Sequence, residues 1–228
     1  MVSLWKIMRH YGIPPKIVNI IRKSYQGTSC RIVHKGKLTR PFEIKTGVKQ
    51  GCLLSPFLFL LAMDWIMKTS THNKRNGIQW TLTKQLDDLD FADDLALLSH
   101  SHHQMQKKTT AIANTSKQIG LSIHKGKSKI MKLNTLKETN ITLEDDPLGE
   151  VTNFVYLGSV IDIHGGTEAD IRSRIGKARA SFIQLRNIWR SKTMSRKTKL
   201  KMFNSNVKSV LLYGAESWRK TKTNMAKI

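Results

Sequence analysis

Phe91-Ala92-Asp93-Asp94-Leu95-Ala96-Leu97-Leu98 sets two adjacent carboxylates between apolar residues. Residues 86–91 and 95–99 read as short extended runs around Ala92-Asp93-Asp94, so the spacing predicts a β-hairpin with its charges at the tip. Asp87, Asp88, Asp90, Asp93 and Asp94 together make up five of the chain's 16 acidic residues. Like charges crowded this closely need a counter-ion. A hard divalent cation such as Mg²⁺ takes carboxylate oxygens and keeps coordination positions for phosphate, which suits phosphoryl transfer. An isolated Asp-Asp pair is more often a solvated acidic turn. The apolar residues on both sides favour instead a packed hairpin that exposes its acids only at the turn.

The acidic cluster sits in an otherwise basic chain of 228 residues, with 39 Lys plus Arg against 16 Asp plus Glu and a formal net charge of +23. Such a surplus repels itself unless a polyanion offsets it, so nucleic acid, ahead of an anionic membrane face, is the expected partner. The length fits one large domain or a domain and a half, and 39% hydrophobic content supplies a core, which excludes disorder throughout. Cys30 and Cys52 have no C-x-x-C spacing, so no disulfide or zinc framework is expected, and a reducing, intracellular setting is. The longest apolar run, residues 53–63, is interrupted by Ser55 and Pro56 and closed by Asp64. It is shorter than the roughly 20 residues of a bilayer span, so no transmembrane helix and no membrane partner are expected.

Around the hairpin the pattern predicts an α+β fold. Two short helices, residues 4–9 and from Pro14 to Tyr25, open the chain. Residues 30–34 and 38–45 read as a hairpin turning at Lys35-Gly36-Lys37. Ser55 can cap, and Pro56 can begin, a helix apolar on nearly every face over residues 57–67, which should be buried. A helix over residues 101–120 leads into extended segments at 121–124 and 129–133, then a polar connection over 135–151. Residues 154–161 read as one more short strand, and Gly165-Gly166 as a domain boundary.

Beyond that boundary the spacing changes to long helices. Ile171, Ile175, Ala178, Phe182, Leu185 and Ile188 recur every three or four residues on one face, as do Leu200, Phe203, Val207 and Val210 on a second helix. The other faces carry Arg172, Arg174, Lys177, Arg179, Arg186, Arg190, Lys192, Arg196, Lys197, Lys199, Lys201 and Lys208, with no acid between Arg172 and Lys208. A single-signed face favours phosphate binding over an ordinary solvated surface. His72, His100, His102 and His103 offer no i, i+4 pair with a third ligand, so surface histidines are expected.

Phe91-Ala92-Asp93-Asp94 resembles the Tyr/Phe-x-Asp-Asp catalytic hairpin of reverse transcriptases, and the order of neighbouring motifs resembles their non-LTR retrotransposon branch. Gly47-Val48-Lys49-Gln50-Gly51-Cys52-Leu53-Leu54-Ser55-Pro56-Phe57-Leu58-Phe59 is similar to that family's Gly-x-x-Gln-Gly-x-x-x-Ser-Pro-x-x-Phe element. Gly120-Leu121-Ser122-Ile123-His124-Lys125-Gly126-Lys127-Ser128-Lys129 resembles its Gly-Leu-x-Ile-Asn-x-x-Lys-Thr-Lys element. Tyr156-Leu157-Gly158-Ser159 resembles its primer-grip strand, and Leu211-Leu212-Tyr213-Gly214-Ala215-Glu216-Ser217-Trp218 its post-thumb signature. Each motif alone is weak; their order and spacing over residues 47–218 make chance unlikely.

The resemblance implies a polymerase palm, an antiparallel sheet backed by helices, over residues 1–163, with a fingers-side hairpin near residues 30–45. A basic helical thumb and post-thumb tail would occupy residues 164–228. It implies that Asp93, supported by Asp94, binds a pair of Mg²⁺ ions, and that Lys127 stands near nucleotide phosphates. Gln50 and Gly51 would lie against the template base and nucleotide, although a plain strand-to-helix turn explains Gly51 equally well. Tyr156, Leu157 and Gly158 would steady the primer, although apolar residues in a sheet strand explain them too. Arg172, Arg179, Arg186 and Arg190 would track duplex phosphates. RNA template, DNA primer and deoxynucleotides are the implied partners, in cytoplasm and nucleus.

The pattern departs at its start, where the family's palm strand bearing a third aspartate would precede Met1, along with most of the fingers. Asp64, Asp162 and Asp170 do not occupy that place. His124 stands where the family has Asn, and no nuclease domain is expected within the residues up to Ile228. The expectation is a partial polymerase domain impaired in synthesis alone, or a non-catalytic nucleic-acid-binding derivative of one.

Overall fold

The computed structural model describes residues 4–44, 47–49, 51–71, 76–135, 139–219 and 221–227. The chain divides into two compact units, Met1–Ser128 with Thr139–Leu148, and Lys129–Glu138 with Gly149–Ile228. Helices and two-stranded sheets alternate in both, as the expected α+β class requires.

In the first unit α1 (Leu4–His10) and α2 (Pro15–Tyr25) are separated by a turn, with Pro15 in the first helical position. Val33–His34 pairs with Lys37–Leu38 around Lys35 and Gly36, both at positive φ, and Ser29–Cys30 pairs with Phe42–Glu43. α3 (Ser55–Thr71) is the axle. Leu58 joins Met8, Val18 and Ile21 in one cluster, while Met63, Ile66 and Met67 join Ile112 of α4 (His102–Gln118) in another.

α3 is not buried all round. Leu58, Ala62, Met63, Ile66 and Met67 face the core, while Phe57 and Leu60 are half exposed. A helix without a polar stripe gives no sequence signal of which face its neighbours will cover. Ser55 does not cap it either: its hydroxyl donates to the Lys49 carbonyl from inside the first turn. Tyr11 donates to Asp64 and so ties α1 to α3; burial, then that bond, pushes the phenol pKa up to about 12.

The decisive hairpin forms where the sequence puts it, with β1 (Asp88–Phe91) antiparallel to β2 (Asp94–Leu97) and Phe91 opposite Asp94 across a two-residue turn. Below α4, which Ser101 caps by accepting from the Gln104 amide, the chain departs from expectation. Residues 121–124 form no strand, and only Lys129–Ile130 is extended, pairing in parallel with Gly149–Glu150. The supposed polar connection contains a hairpin, Thr142–Leu143 against Asp146–Pro147, with Ile141, Leu143 and Leu148 buried. Glu144 and Asp145 take its turn at positive φ, which without glycine gave no turn signal.

In the second unit residues 154–161 are a hairpin rather than one strand: β3 (Asn153–Tyr156) pairs with β4 (Ser159–Asp162) around Leu157 and Gly158. The hairpin before Gly165 and the helix after it, α5 (Glu168–Gln184), lie in this same unit. α6 (Arg186–Arg190) follows, then α7 (Arg196–Phe203), a π-helical stretch at Asn204–Lys208, and α8 (Ser209–Leu212). The π register coincides with Ser205, Asn206 and Ser209, whose side chains hydrogen-bond carbonyls three or four residues back and compete with the α pattern. Ile171, Ala178 and Val207 are buried as their spacing predicts, whereas Phe182 is 44% exposed and stacks on Trp189. Among the described residues no helix is long and apolar enough to cross a membrane.

Candidate functional site

The β1–β2 hairpin has two unlike faces. Strand alternation and register put Leu95 and Leu97 with Asp88 and Asp90 on the face that packs against Met63, Ile66, Met67 and Ile112. Asp94 shares the outer face with Leu89 and Phe91, which is 64% exposed, so the hairpin is less buried than its apolar sequence suggests. Asp93 sits in the turn itself. Both carboxylates are exposed, and among the described residues neither has a hydrogen-bond or ion-pair partner.

The turn is strained. Ala92 has φ 56°, a left-handed value that costs an L-residue roughly 1–2 kcal/mol. Strain of this kind persists only where surroundings enforce it. Here the base of the hairpin is fixed by Lys108, only 3% exposed, whose ammonium donates to the carbonyls of Asp87 and Leu98 and contacts the Asp87 carboxylate, each at 2.8 Å. Sequence reasoning missed this pair, although Lys108 stands four residues before Ile112 on the buried stripe of α4. Burial pushes the Asp88 carboxyl above the usual range; Asp90 and Asp87 add to the rise and Lys108 opposes it.

Two adjacent, exposed, unpaired carboxylates fit part of an octahedral Mg²⁺ shell, leaving its other positions to phosphate and water. Among the described residues no group of three or more His, Cys, Asp or Glu gathers to complete a site from protein alone. His100 Nε2 accepts from the Gln79 amide and His102 Nε2 lies 3.0 Å from the Asn140 carbonyl, while His72 is outside the described residues.

Lys127 is exposed, and among the described residues its ammonium has no partner, whereas Lys125 is held by Glu144 at 3.1 Å and by Asp146. The two acids raise the Lys125 pKa, Asp146 most. His124 shapes this loop by accepting from the Lys127 amide at Nδ1, 3.2 Å, the part an Asn oxygen would play. Gly51 has φ 80°, and a Cβ at that position would meet nothing within 4 Å, so the backbone turn alone requires glycine. Gln50 lies outside the described residues.

In the second unit Tyr156 ends β3, its ring stacked 6.5 Å from Phe154, and Leu157-Gly158 form the β3–β4 turn at φ 49° and 83°. Arg179, Arg186 and Arg190 are exposed and unpaired among the described residues, and Arg172 is exposed but paired with Glu168 at 3.1 Å. Arg174, expected on the basic face, is buried: it donates to the Gly158 carbonyl at 2.7 Å and lies over Tyr213. Asp170, also buried, accepts from the Val160 amide and the Trp218 indole. An Asp-Arg pair at i, i+4 flanking buried Ile171 was the signal available in sequence.

The chain belongs to the reverse transcriptase (RNA-dependent DNA polymerase) family, whose model matches residues 1–161, and to its non-LTR retrotransposon branch. A second model, a domain of unknown function (DUF6451), matches residues 181–213. An uncharacterized transposon-derived protein of Caenorhabditis elegans is 29% identical over 59% of this chain and 50% of its own length. Pol polyproteins of type-1 retrotransposable element R2 are 26% identical in Popillia japonica, over 68% of this chain and 27% of theirs, and 28% in Nasonia vitripennis, over 74% and 17%. The chain thus spans half or less of the length of these curated relatives.

Proposed function

We propose that the chain is the palm-and-thumb portion of an RNA-directed DNA polymerase, extending a DNA primer with deoxynucleotides on an RNA template. In this reading residues 1–163 are palm, with a fingers-side hairpin near residues 30–45, and residues 164–228 are thumb and post-thumb tail. The observation that carries it is the β1–β2 tip, where Asp93 and Asp94 stand exposed and, among the described residues, unpaired on a strained turn of a hairpin whose base Lys108 fixes.

Asp93 and Asp94 would hold Mg²⁺, which when bound polarises phosphate and the primer 3′-oxygen in a two-metal displacement. The chain's own residues would do the positioning. Lys127, unpaired among the described residues, would meet nucleotide phosphate, where an ammonium steadies developing negative charge. Gln50 and Gly51 would line the template base, Tyr156, Leu157 and Gly158 the primer, and Arg172, Arg179, Arg186 and Arg190 the duplex phosphates. Such work would take place on element RNA in the cytoplasm and on chromosomal DNA in the nucleus.

Extension of a labelled primer on an RNA template in Mg²⁺ tests this: weak extension is expected, and Asp93→Asn should abolish it. A second reading, non-catalytic nucleic-acid binding, is favoured by the lack of a third acidic ligand among the described residues. Salt-sensitive binding without extension, unchanged by Asp93→Asn, would replace the first reading with the second.

A further inference from the structure

We infer that Arg174 is a positioning residue for the Leu157-Gly158 turn, setting from α5 the conformation in which that turn meets the primer strand; this rests on reading residues 156–158 as primer-contacting. Leu157, an aliphatic residue, is at φ 49°, and Gly158 follows at φ 83°. Two-residue hairpin turns of this sign favour Asn-Gly or Asp-Gly, so Leu-Gly needs support from elsewhere.

The support comes from one helical turn of α5. Arg174 is 6% exposed and Asp170 3%. Arg174 Nη2 donates to the Gly158 carbonyl at 2.7 Å, and its guanidinium carbon lies 4.5 Å from the Tyr213 ring centroid. Asp170 Oδ1 accepts from the Val160 amide at 2.9 Å and Oδ2 from the Trp218 indole at 2.7 Å. The hairpin is therefore held at the turn carbonyl and again two residues on.

A burial of this kind is a poor way to gain stability. Arg174 Nε stands 3.9 Å from Asp170 Oδ1 and has no hydrogen bond among the described residues, so the ion pair is loose and a buried donor is unsatisfied. What the arrangement does secure is geometry: a planar guanidinium can stack on Tyr213 while donating in plane to Gly158, which a lysine ammonium cannot reproduce. A methyl group on Gly158 would come 3.3 Å from Arg174 Nη2, so the two are fitted closely.

The test uses the full chain and an RNA–DNA hybrid carrying 2-aminopurine at the primer 3′ end, reading terminal fluorescence and overall affinity against salt. Arg174→Lys is expected to lose most of the fluorescence change seen with the unaltered chain, while affinity stays within about twofold and the salt slope is unchanged. Asp170→Asn/Arg174→Met, which removes both buried charges together, is read in the same way should Arg174→Lys fail to fold by circular dichroism. A full fluorescence change in a folded variant, a salt slope lowered by about one, or unfolding of both variants would overturn the inference. If the unaltered chain gives no change, the primer-contact reading falls and this inference with it. If Gly158→Val removes the change and the Arg174 variants keep it, only the role of Arg174 falls.

Discussion

The Lys108 ammonium donates to the carbonyls of Asp87 and Leu98, each at 2.8 Å, and forms an ion pair with the Asp87 carboxylate at 2.8 Å. Asp87 and Leu98 flank the two ends of the hairpin, so one buried cation on α4 closes its base. Lys108→Met removes these contacts and leaves the Asp87 carboxylate without its counter-ion and the Leu98 carbonyl without its donor, while the Asp87 carbonyl keeps the Leu98 amide, so a loss of about 2–3 kcal/mol is expected in urea unfolding. The same change at exposed Lys107 should stay within about 0.5 kcal/mol.

Asp88, on the inner face of that hairpin, gives a pH dependence. Its folded pKa is raised, chiefly by burial, so the folded state binds the proton more tightly than the unfolded chain. The resulting stability is present below the ordinary carboxylate range and is lost as pH rises through the raised value. Asp88→Asn should therefore stabilise the protein at neutral pH, with the gain shrinking toward acid; thermal unfolding of both proteins across that range checks the sign.

The basic helices make a prediction in salt rather than in stability. Removing one charge at Arg179, Arg186 or Arg190 should weaken binding of an RNA–DNA hybrid and lower the slope of log affinity against log salt by about one each. Arg172→Gln should do less, because its guanidinium is already shared with Glu168.

His124 supplies an acceptor where the family has Asn. The Lys127 amide also donates to the His124 carbonyl at 3.0 Å, so His124→Asn should preserve its full hydrogen-exchange protection and His124→Ala should lose only the part that the ring adds. Equal exchange in both variants would show that the ring does not shape the loop.

The hairpin tip, α2, α4 and the Lys35-Gly36 turn were legible because each carries a local signal: alternation, a proline start, a helical run closed by Gly120, a glycine at the turn. What was not legible depended on partners far along the chain. The half-exposed face of α3 could not be read from a helix without a polar stripe, and Glu144-Asp145 turned a hairpin without glycine. Arg174 looked like its exposed neighbours in sequence, and only the approach of Gly158, Tyr213 and Asp170 makes it a buried residue. The exposure of the Asp93 and Asp94 carboxylates at the hairpin tip was legible; Lys108, which fixes the base of that hairpin, was not.

The most direct measurement is electron paramagnetic resonance of Mn²⁺, standing in for Mg²⁺, titrated into the chain with an RNA–DNA hybrid and a non-extendable primer. The account predicts protein-dependent Mn²⁺ binding that Asp93→Asn and Asp94→Asn each weaken while hybrid binding persists. Mn²⁺ binding identical in the unaltered chain and both variants would contradict it.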